Sequence, residues 1–174
     1  MWAFLGSECL FFGSFIATFL LYSDETNGGP GTELFDIPFT SVSSFVLLMS
    51  SLTMVLAHNA YEREDKRQMR IWLVATALLG TVFLGGQVFE FTTFYAEGLR
   101  MDISPFGSAF FVLTGFHGAH VAIGVIMLTS MVIMSRRGNL HSHRGMNVEL
   151  VGLYWHFVDI VWIVIFTVVY LLQV

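Results

Sequence analysis

Five apolar stretches, each about as long as a bilayer is thick, dictate what this chain can become. They fall at about 2–22, 39–60, 71–95, 106–134 and 149–172. A helix rises about 1.5 Å per residue, so about 20 mostly apolar residues cross the roughly 30 Å of hydrocarbon. Inside lipid every peptide N–H and C=O must find its partner within the segment, which leaves the α-helix for runs of this length. The fourth stretch exceeds the minimum and is expected to tilt or to project past the bilayer. The sequence therefore predicts an all-α, polytopic bundle of five transmembrane helices, a single domain over 1–174 with no soluble domain, internal repeat or low-complexity tract. The first run starts at Trp2 with no basic segment ahead of it and is interrupted by Ser7 and Glu8, so it reads as a span rather than a cleaved leader.

Composition agrees with lipid as the main solvent. Hydrophobic residues make up 55% of the chain and charged ones 12%, against about 25% charged in an ordinary soluble domain. The net charge of −5 is modest and no basic run is long enough to suggest nucleic acid. A single cysteine, Cys9, excludes an internal disulfide and a cysteine-based metal site.

The joints carry turn-formers and charge. Residues 23–38 read SDETNGGPGTELFDIP, 61–70 read YEREDKRQMR, 96–105 contain Gly98 and Pro105, and 135–148 read SRRGNLHSHRGMNV. Arg63, Lys66, Arg67 and Arg70 follow the second span, and Arg136, Arg137 and Arg144 follow the fourth. Only Arg100, of 8 basic residues, falls on the opposite side. The positive-inside rule then places the N-terminus in the cytoplasm and the C-terminus outside.

Polar side chains within the spans are the informative ones, because a carboxylate in hydrocarbon must be paired, protonated or turned to the bundle interior. Four acids qualify: Glu8, Glu90, Glu149 and Asp159. Glu149, Gly152, His156 and Asp159 fall at i, i+3, i+7 and i+10, one face of the last helix. Thr76, Gly80, Gln87 and Glu90 form a similar stripe on the third. His117, His120 and Gly124 share a face of the fourth, with Gly118 and Ala122 as a small pair beside it. These stripes should point at protein. Counting from the basic side puts Glu8 and His156 roughly 10 Å deep, with Asp159 a little deeper; His58 is shallower, and Glu90 lies toward the far end.

The plainest role for each is to glue helices by hydrogen bonds. Glu8 resists that reading best. It sits in SECLFF beside Phe11 and Phe12 with no basic neighbour in sequence, and so is a candidate proton relay, lipid headgroup partner or neutral hydrogen-bond donor. Six histidines invite a haem reading, since paired imidazoles can hold haem iron. However, His141 and His143 fall in a connecting segment, His58 near a helix end, and His117 and His120 too close together to be opposed ligands. A pairing of either with His156 stays open as an alternative. No HExxH motif, cysteine cluster or phosphate loop occurs, and no metal is expected on this chain.

SECLFFGSF (7–15), SSLTMVLAH (50–58), GSAFFVLTGFHGAHVAIG (107–124) and ELVGLYWHFVDIVWIVIF (149–166) resemble the signature segments of the cytochrome c oxidase subunit III family. Gln87 and Glu90 resemble its Q-x-x-E pair, and Glu149 its acid opening the last helix. The likeness runs in order through all five spans. The familiar mitochondrial form has seven helices, and this chain resembles the last five; five-helix versions include those of bacterial quinol oxidases.

The resemblance implies a non-redox accessory subunit of a proton-pumping haem–copper terminal oxidase in a bacterial cytoplasmic membrane. Such a subunit packs against subunit I, assembles with subunit II and small subunits, and supports proton uptake and sustained turnover. Haem and copper are then expected in the partners and none in this chain, with phospholipid bound within the fold. No catalytic residue is expected. Glu8, Glu90, His156 and Asp159 are the candidate proton-linked or structural groups, Glu8 as the acid of the SE motif. His58, Gln87, His117, His120, Glu149, Trp155 and Trp162 are candidate lipid or partner contacts. Alternatives are a quinol oxidase or nitric oxide reductase partner, a haem-binding anchor, and a self-sufficient transporter relaying protons through Glu8, His156 and Asp159. Transporters show inverted repeats and broken helices, neither visible here.

Overall fold

The computed structural model describes residues 1–137 and 145–172; His141, His143 and Arg144, expected in the basic connecting segment, lie outside the described residues. Five helices follow one another: α1 (Trp2–Tyr22), α2 (Ile37–Glu62), α3 (Lys66–Ala96), α4 (Pro105–Arg136) and α5 (Gly145–Phe166). A short 3₁₀ turn spans Thr32–Leu34, and α5 widens into a π turn at Thr167–Leu171. All five helices are long and apolar enough to cross a membrane.

Their starts are set by capping. Asp36 accepts from the N–H of Phe39 at 3.1 Å with Pro38 in the first turn, and Ser104 accepts from Gly107 at 3.0 Å with Pro105 at the first helical position. Asp65 accepts from both Arg67 and Gln68, each at 3.0 Å. That cap starts α3 at Lys66, five residues ahead of its apolar stretch, so the helix carries Arg67 and Arg70 out of the hydrocarbon. The joint between α2 and α3 is correspondingly tight, and Glu64 adopts a left-handed φ of 59° to make it.

The buried positions repeat in steps of three and four. On α3 they are Met69, Leu73, Thr76, Gly80, Phe83, Gln87, Glu90 and Phe94; on α4 the run Phe110, Thr114, His117, Val121, Gly124 and Leu128 keeps the same rhythm. This is the spacing of knobs-into-holes packing between long helices. The expected stripe of Thr76, Gly80, Gln87 and Glu90 is wholly interior. α2 packs on α3 and α5, and α4 on α3, α5 and α1. α1 is the outlier. It buries only Leu5, Phe12 and Phe19, spaced by seven, and rests mainly on α4.

Two indoles of α5 lock the centre. Trp155 lies in a slot between Gly80 of α3 and Gly124 of α4, where an added Cβ would come within 2.5 Å and 2.7 Å of the ring. Its Nε1 donates to Ser50 Oγ of α2 at 2.9 Å. One turn pair later, Trp162 donates to Ser44 Oγ at 2.8 Å, meets Phe83 edge-on at 4.8 Å and stacks on His117 at 5.0 Å. Each indole therefore touches α2, α3 and α4 at once.

Filling the glycine slot should expel the ring. Gly80→Ala and Gly124→Ala are each expected to cost about 1–3 kcal/mol, as overpacked cores do, and to lower the thermal midpoint in detergent. Gly85→Ala on the same helix, where a Cβ meets nothing within 4 Å, should leave it unchanged or raise it.

Candidate functional site

A polar contact between an acid and an imidazole joins α1 to α4. Glu8 Oε2 lies 3.2 Å from His120 Nε2, and both side chains are largely sheltered. His120 Nδ1 faces the Phe116 carbonyl at 2.8 Å. A carbonyl can only accept, so Nδ1 carries a hydrogen, and the proton between Nε2 and Glu8 is the one still to be assigned. Either the carboxyl donates it to a neutral ring or the imidazolium donates it to a carboxylate. The Phe12 ring covers His120 at 5.1 Å, and Tyr154 of α5 donates to the His120 carbonyl at 3.0 Å, so the pair is held from three helices. The sequence shows Glu8 with no basic neighbour; its basic partner stands on another helix, and only the fold reveals it.

A second cluster lies between α2 and α5. Ser51 Oγ is 2.6 Å from His156 Nδ1. Asp159 is buried, and its Oδ1 has no partner among the described residues. His58, nearer the basic end of α2, pairs with Glu62 at 3.6 Å. At the opposite end, Thr40 donates to Glu90 and also reaches the Asp36 carbonyl. Between the two, Gln87 Nε2 reaches the Thr114 carbonyl at 3.4 Å, while Gly118 lets its Oε1 approach α4. His117 is fully buried among Phe12, Phe83 and Trp162, with neither ring nitrogen bonded among the described residues. Thus the three intramembrane imidazoles face three different surroundings: His120 a carboxyl on α1, His156 a hydroxyl on α2, and His117 an aromatic cage. Among the described residues no three His, Cys, Asp or Glu side chains converge as metal ligands would.

Comparison with known proteins bears on all of this. The family model described as cytochrome c oxidase subunit III matches residues 1–174. The chain belongs to the cytochrome c oxidase subunit III family. It is 42% identical over 172 residues to cytochrome c oxidase subunit 3 of Bacillus sp. (strain PS3), covering 98% of this chain and 83% of that one. It is 40% identical over 173 residues to the subunit of the same name from Bacillus subtilis (strain 168), covering 98% and 84%. It is also 38% identical over 173 residues to the probable quinol oxidase subunit 3 of Staphylococcus saprophyticus, covering 98% and 86%. It is thus a subunit III of a haem–copper oxidase, a multi-pass membrane protein that works in a complex with other oxidase subunits.

Within this subunit III the expected site residues separate by environment. Glu90 and Asp159 are interior, and Glu8 and His156 are partly sheltered. Of the residues expected as lipid or partner contacts, Gln87, His117, Trp155 and Trp162 are buried among this chain's own helices. Their size and polarity are used for packing across the seam. His58, His120 and Glu149 keep accessible surface. Glu149, expected on one interior face with Asp159, is exposed. The α5 seam runs through Gly152, Trp155, Asp159 and Trp162, and positions 149 and 156 flank it.

Ser51 joins α2 to α5 through His156. Ser51→Ala leaves His156 Nδ1 without its hydroxyl partner, and is expected to cost about 1–3 kcal/mol in thermal unfolding. Ser51→Thr, which restores the hydroxyl, should recover most of it.

Proposed function

We propose that this chain is the non-redox accessory subunit of a proton-pumping terminal oxidase, braced against subunit I, and that the Glu8–His120 pair is its proton-handling element. The observation that carries the reading is the 3.2 Å approach of an acid to an imidazole in an otherwise apolar setting. Such a pair takes up or gives off a proton by shifting one hydrogen bond, with no change of fold. Haem and copper belong to the partner subunits. Subunit II and small subunits complete the complex.

The basic loops face the cytoplasm of a bacterial inner membrane. Glu8 then lies roughly 10 Å below that surface, on the side from which a proton pump draws its protons. Phospholipid chains occupy the apolar groove of about 460 Å³ between α1 and α4, walled by Phe15, Tyr22, Pro105 and Val112. A quinol-fed partner is the second reading, favoured by the likeness to the probable quinol oxidase subunit 3.

Glu8→Gln keeps a hydrogen bond to His120 but removes the exchangeable acid. The variant is expected to assemble with a normal haem content and then to show slowed proton uptake or faster loss of activity in prolonged turnover. Durability equal to wild type at high pH would remove Glu8 from the mechanism. The isolated chain in liposomes is expected to pass no protons; a measurable flux would favour a self-sufficient transporter instead.

A further inference from the structure

Glu8 and His120 stand on different helices, so the 3.2 Å between them depends on where α1 and α4 stand as much as on either side chain. On its own helix the imidazole is already fixed, because Nδ1 donates to the Phe116 carbonyl one turn back at 2.8 Å. The Phe116 ring is in turn clamped by Phe11 and Phe15 of α1, with centroids at 5.5 Å and 5.3 Å. α1 also meets the pair with a single stripe, Phe4, Glu8 and Phe12, at i, i+4 and i+8. Phe12 covers the imidazole and Glu8 faces its Nε2. Phe4 meets a third helix: its ring stacks on Tyr154 of α5 at 6.4 Å.

Tyr154 is thereby tied to both sides of the pair. Its ring lies against α1 one turn before Glu8, and its hydroxyl donates to the carbonyl of His120 itself at 3.0 Å. A buried phenol needs an acceptor, but where it finds one decides what it holds in place. The base it projects from is rigid. Its neighbour Trp155 sits in the slot between Gly80 and Gly124 and is bonded to Ser50 of α2. That lock sets the rotation of α5, and with it the direction in which Tyr154 leaves the helix. α1 has little else to steady it, since it buries only Leu5, Phe12 and Phe19.

We infer that Tyr154 is a positioning residue of the Glu8–His120 pair, a strut from α5 that holds α1 and α4 at the separation where carboxyl meets imidazole. The inference rests on the proposed role of that pair in handling protons. Hydrogen bonds weaken steeply with distance and angle, and a functional constellation has to be held within about 0.5 Å of its working geometry. A helix as thinly attached as α1 does not meet that tolerance by itself.

The test is infrared difference spectroscopy of the purified oxidase carrying isotope-labelled glutamate. The Glu8 band is the one that disappears in E8Q, and H120F shows where it lies once the imidazole is gone. Y154F removes the hydroxyl and keeps the ring. Its Glu8 band is expected to shift from the wild-type position toward that of H120F, and its loss of activity in prolonged turnover to fall between those of wild type and E8Q. Ser51→Ala, which weakens the bundle at another seam, should leave the band where it is. A Y154F band unchanged from wild type would overturn the inference, and so would an equal shift in Ser51→Ala, which any loosening of the bundle would then explain. If Y154F does not assemble, F4L is read in the same way, since it keeps the hydroxyl and removes the stacked ring. A shifted band supports the strut and an unshifted one overturns it, and failure of both variants to assemble assigns Tyr154 to folding alone. Durability of E8Q equal to wild type would count against the pair's proton-handling role, while the band in Y154F still decides whether Tyr154 positions it.

Discussion

An indole N–H in hydrocarbon has no water to turn to, and a tryptophan in a helix bundle must either reach the headgroups or find an acceptor inside. Trp155 and Trp162 find theirs in two serines of α2. Those bonds fix where α5 stands along α2, because moving either helix by a turn would break both. The glycines opposite Trp155 then set how closely α3 and α4 approach. Lipid tails are as apolar as leucine, so helices gain little by merely hiding hydrophobic surface from them. Directional bonds and close steric fit must supply the specificity, and in this bundle the two indoles supply both.

The polar groups sort into two kinds by how completely they are enclosed. Ser44, Ser50, Thr76 and Gln87 are interior, bonded to neighbouring helices, and serve assembly. Glu8 and His120 lie at the edge, between the core and the one helix that barely belongs to it. They combine partial shelter with a proton that either can hold. Asp159 and His156 stand between these cases: the acid is buried, and the imidazole is only half so and bonded to a serine hydroxyl. Burial alone would have ranked Asp159 above Glu8 as a functional group. The geometry reverses that order, since Glu8 meets an imidazole at 3.2 Å while Asp159 Oδ1 has no partner among the described residues.

Much of this was legible in the sequence, for reasons that are local. Span length and the three-four rhythm of apolar and small residues depend on neighbours along one helix, so the five spans and the Thr76–Gly80–Gln87–Glu90 stripe could be read directly. The early start of α3 could also have been read from Asp65 standing before Lys66 as a helix cap. What could not be read depends on which helices touch. Nothing near Glu8 in sequence points to His120. Nor does the pattern around Trp155 and Trp162 say whether their rings face lipid or the glycines of another helix. Glu149 fell on the wrong side of a boundary that only the true seam defines, a small angular error that decides between core and surface.

The thin attachment of α1 bears on how the protein is made. Of these five helices α1 is synthesised first, yet the residues that hold it, around His117, His120 and Tyr154, come about a hundred positions later. At typical rates of about 5–20 residues per second, that is a wait of several seconds in the membrane. During that interval Glu8 has neither its imidazole nor the Phe12–His120 contact to shelter it. A carboxyl stranded in lipid disfavours settled residence, so a lone α1 should remain close to the insertion machinery until α4 arrives. The bond between Glu8 and His120 would then form only once α4 is in place, and the pair would double as a checkpoint that the first four helices have been inserted.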